Sequence, residues 1–381
     1  MTDSQWSIRN LLNPVTTRLL IYGMNPMDLE YVLQKIEETV ILNSKSLNKK
    51  WAALWEKKGE NYKAKALDAL EKNHLTTARE LFLITAQCYF AIYLVNPGNI
   101  EQKKQYYRKL VSSYYEGVRL YPQPVQKVEI PIDNDKKVSA YLHLPEDSLR
   151  KKGCVVFFAG LGSCKEEMNT IARTITERGI SVLIPDMPGC GETLFEKEIK
   201  ANGANLEKTF KGCIRFIRNH EKTKDCLIGS TGLCMGGGYA YRAAALNGEY
   251  SFCATLFPLF ISQVKKENTP QWMKSGEWIS YQTGGAEVDS FLEDMSRRKN
   301  EVINCPFFLI HGKYDNWMSL EDALKLYDLA QTDDKKTLII EDKPVFSKDE
   351  KVLHAMPIGE QLHWIRHIFA DWISDQVEKH S

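Results

Sequence analysis

Apolar residues recur every three to four positions over roughly the first 120 residues, the spacing of one face of an α-helix. A helix is predicted to begin at Asn25-Pro26 and to run through Ile36, because a proline early in a helix has no intrahelical hydrogen bond to lose. Three more helices are predicted over residues 51–70, 76–95 and 106–115. Their Tyr and Trp residues are either ordinary packing core or rings that line a pocket under a lid. We expect residues 1–122 to form an N-terminal helical lid domain.

Beyond residue 122 the pattern predicts strands. Apolar and polar residues alternate over 127–132 and 137–145, which indicates a β-hairpin. Near-continuous apolar runs, typical of strands buried on both faces of a parallel sheet, follow at 153–160, 179–186, 225–232, 251–258, 305–312 and 336–342. Helical patterns separate them at 165–178, 204–221, 235–247, 319–331 and 357–377. Residues 123–381 are therefore predicted to form a doubly wound, mostly parallel α/β sheet, with a cap-like insertion at about 259–304.

Composition excludes several classes of protein. The chain has 50 Lys and Arg against 49 Asp and Glu, a net charge of +1, so no excess positive charge favours nucleic acid. No run of about 18 apolar residues is present and residues 1–10 lack the layout of a secretory signal, so we expect a cytoplasmic protein outside the membrane. The nine cysteines, without a C-x-x-C pair, are expected to be reduced thiols that mostly fill the core. No cofactor is predicted, and a homodimer stays open.

The segment Gly232-Leu233-Cys234-Met235-Gly236 joins a buried-strand pattern to a helical pattern. G-x-C-x-G in this setting indicates a nucleophile elbow, a sharp turn that holds a nucleophile above the carboxyl edge of the sheet. Glycine is needed two positions to either side because larger side chains would clash in so tight a turn. Serine is usual at the centre, but a thiol is the stronger nucleophile. We expect Cys234 to be the nucleophile, the alternative being an inactive elbow in which Cys replaced Ser.

An acid and a histidine should follow the nucleophile in the chain. Asp315 is the candidate acid because it lies three residues past Gly312, just beyond a buried strand; the alternative is an ordinary turn or helix-cap residue. His354 is the candidate base because it follows the last strand and precedes the last helix. His363 and His367 lie four apart on that helix and are interpreted as helix-face residues. No third ligand motif accompanies them, so no metal site is predicted.

An oxyanion hole requires two backbone donors. The amide of Met235, directly after the nucleophile, is the first candidate. The second should come from the loop after the strand at 153–160, where Leu161 is the candidate by position. Cys164 in the same loop is either a second reactive thiol or, as we expect, a packing residue.

Three motifs resemble the FrsA-like branch of the α/β-hydrolases. Residues 160–167 (GLGSCKEE) resemble its G-L-D-S-x-K-E-E loop, residues 185–193 (PDMPGCGET) its D-x-P-G-x-G-E segment, and residues 232–237 (GLCMGG) its G-x-S-M-G-G elbow. The helical N-terminal region, with Trp51 and Trp55, fits the branch's N-terminal helical domain. Two residues depart from the pattern: Cys234 stands where the branch commonly has Ser, and Gly162 where it commonly has Asp.

The resemblance implies an α/β-hydrolase fold and a hydrolase activity. Members of this branch include a carbon–carbon bond hydrolase and hydrolases that shorten aromatic polyketide chains in fungal pigment and bacterial anthraquinone pathways. It therefore implies retro-Claisen cleavage of an aromatic or polyketide β-dicarbonyl substrate, either free or tethered to a carrier protein. The alternatives are an esterase, thioesterase or acyltransferase with the same triad, and a non-catalytic regulator that binds a sugar-phosphotransferase protein.

Overall fold

A computed structural model describes residues 8–38, 44–95, 99–160, 162–260, 277–285, 300–315, 317–341 and 360–380. The chain separates into two units, Met1–Pro124 and Val125–Ser381. Among the described residues of the first unit there are five helices: α1 (Ile8–Ile21), α2 (Pro26–Glu37), α3 (Ser44–Glu71), α4 (Leu75–Val95) and α5 (Ile100–Val118). The sequence analysis did not predict α1, which carries Pro14 in its interior, where proline ordinarily ends a helix.

Aromatic residues form the packing core of the first unit. Trp51 and Trp55 of α3 are fully buried, and their rings meet edge to face with centroids 5.7 Å apart. The indole nitrogen of Trp51 donates a hydrogen bond of 2.8 Å to the carbonyl oxygen of Ala91 on α4. Tyr93 of α4 and Tyr107 of α5 are also buried, with ring centroids 5.5 Å apart. These four rings therefore hold α3, α4 and α5 together.

One helix in the described part of the chain, α4, is long and apolar enough to cross a membrane. The sequence analysis found no unbroken run of about 18 apolar residues; α4 reaches the threshold by its mean hydropathy although Arg79 and Glu80 interrupt its apolar residues. Of its most apolar 18-residue stretch, 61% is buried within the protein, and core helices of globular proteins pass the same test. Because α4 packs against both α3 and α5, we interpret it as the central helix of the first unit.

The second unit is built on a mixed sheet. Its described residues contain eight strands: β1 (Gln126–Pro131), β2 (Lys137–His143), β3 (Gly153–Phe158), β4 (Ser181–Pro185), β5 (Leu227–Leu233), β6 (Tyr250–Leu256), β7 (Phe307–Gly312) and β8 (Lys335–Ile340). They lie in the order β1-β2-β4-β3-β5-β6-β7-β8. Strand β2 is antiparallel to both of its neighbours, and β3 to β8 are parallel to one another. The predicted α/β class, with its hairpin followed by a parallel sheet, is confirmed.

Helices flank this sheet. Those described are α6 (Asn169–Thr176), α7 (Gly191–Phe195), α8 (Gly203–Asn219), α9 (Met235–Leu246), α10 (Glu277–Thr283), α11 (Leu320–Leu329) and α12 (Glu360–Lys379). The single helix predicted over 165–178 is instead a 3-10 turn, Lys165–Met168, followed by α6. The short α7 was not predicted, since its one turn is too short to show a helical period.

The carboxyl ends of β3 to β8 lie along one edge of the sheet because these strands run parallel. The residues that follow β3, β4, β5, β6 and β7 there include Gly160, Asp186, Cys234, Phe257 and Asp315, respectively. In open α/β sheets this edge is where ligands bind. The candidate nucleophile and the candidate acid are therefore placed at the same edge, on strands separated by β6.

His143, at the end of β2, has a buried imidazole ring that packs inside the second unit. Its side chain is 4% exposed, and its ring meets Tyr141 edge to face at 6.4 Å. Its Nε2 has no hydrogen-bond partner among the described residues. Burial lowers the pKa of His143 from its usual 6.5 to about 3. The imidazole therefore stays neutral in the folded protein well below neutral pH.

We predict that His143 makes the second unit sensitive to acid. Between pH 6.5 and pH 3 the unfolded chain binds a proton at this residue that the folded protein does not, so stability falls as the pH falls. The contribution is at most about 1.4 kcal/mol per pH unit. Urea unfolding of His143→Leu should show a flatter loss of stability between pH 7 and pH 4 than the wild type. Exposed His380→Gln is the control, and a His143→Leu profile parallel to the wild type would contradict the prediction.

Candidate active site

Cys234 is the single residue between β5 and α9. Its backbone has φ +58° and ψ −127°, a region that side chains other than glycine rarely adopt. The amide of Cys234 donates a hydrogen bond of 2.9 Å to the carbonyl oxygen of Leu256, the last residue of β6. Its carbonyl oxygen accepts hydrogen bonds from the amides of Gly237 (2.8 Å) and Leu259 (3.0 Å). The neighbouring strand thus holds the strained conformation from outside the turn.

Glycines surround this turn because no side chain fits there. A Cβ on Gly232 would lie 2.1 Å from the carbonyl oxygen of Gly236, and a Cβ on Gly236 would lie 2.0 Å from the carbonyl oxygen of Phe158. Both obstacles are backbone atoms, which cannot rotate away. The predicted reason for the G-x-C-x-G pattern, lack of space two residues to either side of the cysteine, agrees with this geometry.

The thiol of Cys234 faces the end of β3. A Cβ on Gly160 would lie 3.3 Å from Cβ and 3.7 Å from Sγ of Cys234, so Gly160 faces the nucleophile candidate across a space no larger than one methyl group. Met235 opens α9, and the first amides of a helix have no partner within that helix. The partial positive charge of a helix N-terminus stabilises an oxyanion that forms at this place. Leu161, the second oxyanion-hole candidate, lies outside the described residues.

Asp315 is buried in the loop after β7, with 5% of its surface exposed. Its Oδ1 accepts hydrogen bonds from the amides of Trp317 (2.8 Å) and Met318 (3.1 Å). Its Oδ2 lies 4.0 Å from Nε2 of His311, which is itself 3.0 Å from the carbonyl oxygen of Met318. The carboxylate is therefore held in a defined orientation by its own loop, as a group that orients a catalytic base must be.

A second non-glycine residue with a positive φ lies between the two candidates. Phe257 follows β6, has φ +47° and is fully buried. Its amide donates a hydrogen bond of 2.8 Å to Ile310 on β7, and its ring centroid lies 6.4 Å from that of His311. No pattern in the sequence indicates this residue. It belongs to the segment after β6 that bonds to β7 at Ile310 and to Cys234 through Leu259.

Two of the three histidines considered in the sequence cannot be placed. His354, the predicted base, lies outside the described residues, as does the side chain of His363. His367 on α12 has its Nδ1 3.4 Å from a guanidinium nitrogen of Arg178, in agreement with a helix-face position. The described residues contain no group of three or more His, Cys, Asp or Glu side chains that could hold a metal ion.

Sequence reasoning missed a cluster of buried charges beside the turn after β3. The ammonium group of Lys165, fully buried, contacts carboxylate oxygens of Glu166 (2.7 Å), Asp186 (2.8 Å) and Glu192 (2.7 Å). Burial alone would lower the pKa of Lys165, but the carboxylates of Asp186 and Glu166 outweigh burial and raise that pKa well above its usual value. Burial raises the pKa of Asp186 to about 6, against the pull of Lys165. All four residues fall within two of the three motifs that carry the family resemblance.

Two family models match the chain. One, described as the dienelactone hydrolase family, covers residues 138–337, and the other, described as esterase FrsA-like, covers residues 26–207. The chain is 24% identical over 269 residues to the 2,6-dihydropseudooxynicotine hydrolase of Paenarthrobacter nicotinovorans, covering 70% of this chain and 71% of that protein. It is 23% identical over 225 residues to Hydrolase ORFZ of Pyricularia oryzae, covering 55% of this chain and 53% of that protein. The resemblance inferred from the three motifs is confirmed.

Solved structures share the fold over nearly the whole chain. The crystal structure of the 2,6-dihydroxy-pseudo-oxynicotine hydrolase has a TM-score of 0.76 at 19% identity and covers 95% of both chains. Wild-type AbyA5 has a TM-score of 0.65 at 14% identity and covers 96% of this chain and 99% of its own. At these identities the superpositions show the fold, which is that of the α/β-hydrolases.

We predict that Gly236→Ala disrupts the turn at Cys234. The added methyl group meets the Phe158 carbonyl oxygen at 2.0 Å, so the end of β3 or the start of α9 must move. The expected loss is at least about 2 kcal/mol of unfolding free energy, the range for overpacking of a rigid core. Gly248→Ala, which has no atom within 4 Å of its Cβ, is the matched control and should leave stability unchanged in the same urea titration. Equal stabilities for the two variants would contradict the prediction.

Proposed function

This chain belongs to the dienelactone hydrolase family of α/β-hydrolases, and we propose that within it the hydrolase acts through a Cys234–His354–Asp315 triad. The observation that carries the proposal is the strained turn at Cys234, which Gly160 faces closely and which the N-terminus of α9 follows directly. The orientation of the buried Asp315 carboxylate by two backbone amides supports its role as the acid. His354 is assigned by its order in the chain, between the last strand and the last helix.

The mechanism follows from these roles. His354, oriented by Asp315, accepts the thiol proton as the sulfur of Cys234 attacks a substrate carbonyl. The amides of Met235 and Leu161 hold the resulting oxyanion, an interaction worth about 2.7–4 kcal/mol per donor. As the tetrahedral species collapses, the bond to the leaving carbon breaks, and that carbon takes the proton from His354. Water, deprotonated by His354, then attacks the thioester, and the acyl group leaves as a carboxylic acid.

The proposed substrate is an aromatic or polyketide β-dicarbonyl compound, cleaved in a retro-Claisen reaction. An extended aromatic enol is a suitable leaving group because its negative charge is delocalised over the ring system. The name of one relative, a pseudooxynicotine hydrolase, supports action on a small organic molecule. We extend the proposal to shortening of a polyketide chain in anthraquinone or pigment formation, on a free or carrier-bound substrate, in the cytoplasm. Residues 1–122 are proposed as the lid domain and 259–304 as the cap.

Ester or thioester hydrolysis is a second candidate function. The match of residues 26–207 to the FrsA-like esterase model favours it. The same triad would serve, because both reactions pass through an acyl-thioester on Cys234 and differ only in the leaving group. Transfer of the acyl group to an amine or alcohol in place of water is a variant of this candidate.

We predict a single acyl adduct, on Cys234, when the protein is mixed with p-nitrophenyl acetate and quenched in acid. Intact-mass measurement and peptide mapping should locate one acetyl group there. Cys305→Ala is the matched control, since Cys234 and Cys305 are the two half-buried thiols while the other seven are buried. Burial raises the pKa of Cys305 to about 12, so this thiol stays protonated and unreactive at neutral pH. The adduct should persist in Cys305→Ala and disappear in Cys234→Ala; an adduct in Cys234→Ala would contradict the assignment.

A comparison of two substrates distinguishes carbon–carbon from ester cleavage. We predict that an aryl β-diketone is cleaved to a carboxylic acid and an aryl ketone with a higher kcat/KM than an aryl ester of the same acyl group. The reason is that an enclosed site for a flat diketone uses binding energy that a small ester cannot supply. Chromatography of the products and steady-state rates provide the measurement. Rapid ester hydrolysis with an intact diketone would reject the retro-Claisen proposal and support the esterase.

A further inference from the structure

Lys165 is the centre of an ion cluster that is not balanced in charge. One fully buried ammonium group contacts three carboxylates, and two of them, on Glu166 and Asp186, are buried as completely as the lysine. A second lysine, Lys127, reaches Glu192 from the solvent side at 2.6 Å. Removing ions from water costs several kcal/mol per ion, and apolar residues of similar volume are often as stable or more so. Stability by itself therefore does not explain the cluster.

The cluster joins the turns that follow two neighbouring strands. Oδ1 of Asp186, directly after β4, accepts a hydrogen bond of 2.8 Å from the amide of Lys165, and its Oδ2 accepts one of 2.9 Å from the amide of Glu192. Gly191 has φ +50°, and a Cβ there would lie 2.2 Å from the Asp186 carboxylate. The P-G-C-G-E motif is thus explained by the carboxylate that fills the space inside its turn.

The same cluster extends to the wall of the site. The amide of Ser163 donates to the carbonyl oxygen of Gly160 at 3.2 Å, which closes the turn after β3. The hydroxyl of Ser163 donates to Glu167 at 2.7 Å, tying this turn to the 3-10 turn that carries Lys165. Gly162 inside the turn has φ +68°, a conformation open to glycine and tolerated by aspartate. Gly160, at the start of the turn, faces Cys234: a Cβ placed on this glycine would lie 3.7 Å from the sulfur.

The turn after β4 is held from its other side by the proposed cap. Gln282 on α10 is 1% exposed, and its side-chain nitrogen donates a hydrogen bond of 3.0 Å to the carbonyl oxygen of Gly189. The carbonyl oxygen of Gln282 accepts one of 2.9 Å from the amide of Ala201. The segment from Asp186 to Ala201, which includes α7, is therefore bonded to the ion cluster at Asp186 and to α10 at Gly189 and Ala201.

We propose that Lys165 is a positioning residue for the active site: acting through Asp186, its ammonium group holds Gly160 and Ser163, which are hydrogen-bonded to each other after β3, in place beside Cys234. This inference rests on the proposed function of Cys234. Lys165 touches neither substrate nor reacting atoms; it acts through Asp186 and through the turns that Asp186 joins. Loss of the ammonium group should leave the thiol reactive but displace the turn that stabilises charge on the substrate.

The test compares Lys165→Met with Lys325→Met, an exposed lysine that also contacts two carboxylates. For p-nitrophenyl acetate we expect Lys165→Met to lower kcat by about 100-fold with a nearly unchanged KM, the scale of a misplaced reacting group. Alkylation of Cys234 by iodoacetamide, which forms no oxyanion, should proceed at the wild-type rate. Hydrogen exchange should become faster in peptides covering 157–166 and stay unchanged in those covering β5. Lys325→Met should match the wild type in all three measurements.

Normal turnover together with normal exchange in a folded Lys165→Met would overturn the proposal, and so would equal losses of turnover and alkylation, which indicate general damage. If Lys165→Met does not fold, Glu192→Gln carries the test, because that side chain is 12% exposed and the change removes only one carboxylate. A several-fold loss of kcat with normal alkylation is then expected, and no loss overturns the proposal. Should the wild type form no acyl adduct, the proposed function fails, and the exchange measurement alone decides whether Lys165 holds the turn.

Discussion

The strained backbone at Cys234 is the constraint on which the rest of the catalytic unit depends. A strand passes into a helix through one residue, with φ +58°, and this is possible only where the surrounding backbone approaches closely. The carbonyl oxygen of Phe158 fills the space beside Gly236, and the carbonyl oxygen of Leu256 binds the amide of Cys234. Strands β3, β5 and β6 must therefore be adjacent and in register before the turn can form. The backbone of β3 and β6 thus holds Cys234 in its strained conformation.

A second constraint concerns charge. Three carboxylates gather around Lys165 in the interior, and the pKa of Asp186 rises to about 6 because burial opposes its ionisation. The unit buries a second cation on α9: Arg242 is fully buried, donates to both oxygens of Glu301, which is 1% exposed, and lies 3.6 Å from a carboxylate oxygen of the partly exposed Glu207. The Arg242–Glu301 pair anchors α9, the helix that follows Cys234, whereas the Lys165 cluster joins the turns that follow β3 and β4.

Sulfur at the elbow changes the expected chemistry less than its rarity there suggests. A thiol needs less assistance from a base than a hydroxyl does. Amines attack the thioester that would form more readily than they attack an ester. Whether water, an amine or an alcohol accepts the acyl group would therefore depend on which of them can enter the site. The other cysteines do not share this setting, because burial in the apolar interior raises the pKa of thiols such as Cys154 and Cys253.

Much of the fold and the core of the site could be predicted from local patterns. The apolar run at 153–160 became β3, the G-x-C-x-G spacing located the strained turn, and the candidate acid Asp315 lies in the loop after a buried strand, where it was expected. Local patterns failed where the helical period was broken, as at Pro14 in α1, or was too short to read, as in α7.

Local patterns also could not reveal that Lys165 contacts Asp186, which lies 21 positions further along the chain. That contact exists because β4 pairs with β3, which brings the carboxyl ends of the two strands side by side. Strand order therefore determines which residues meet a buried charge, and strand order is a property of the folded sheet. The sequence by itself therefore determined the elements and the chemistry of single residues, and only the tertiary structure decided which of them act together.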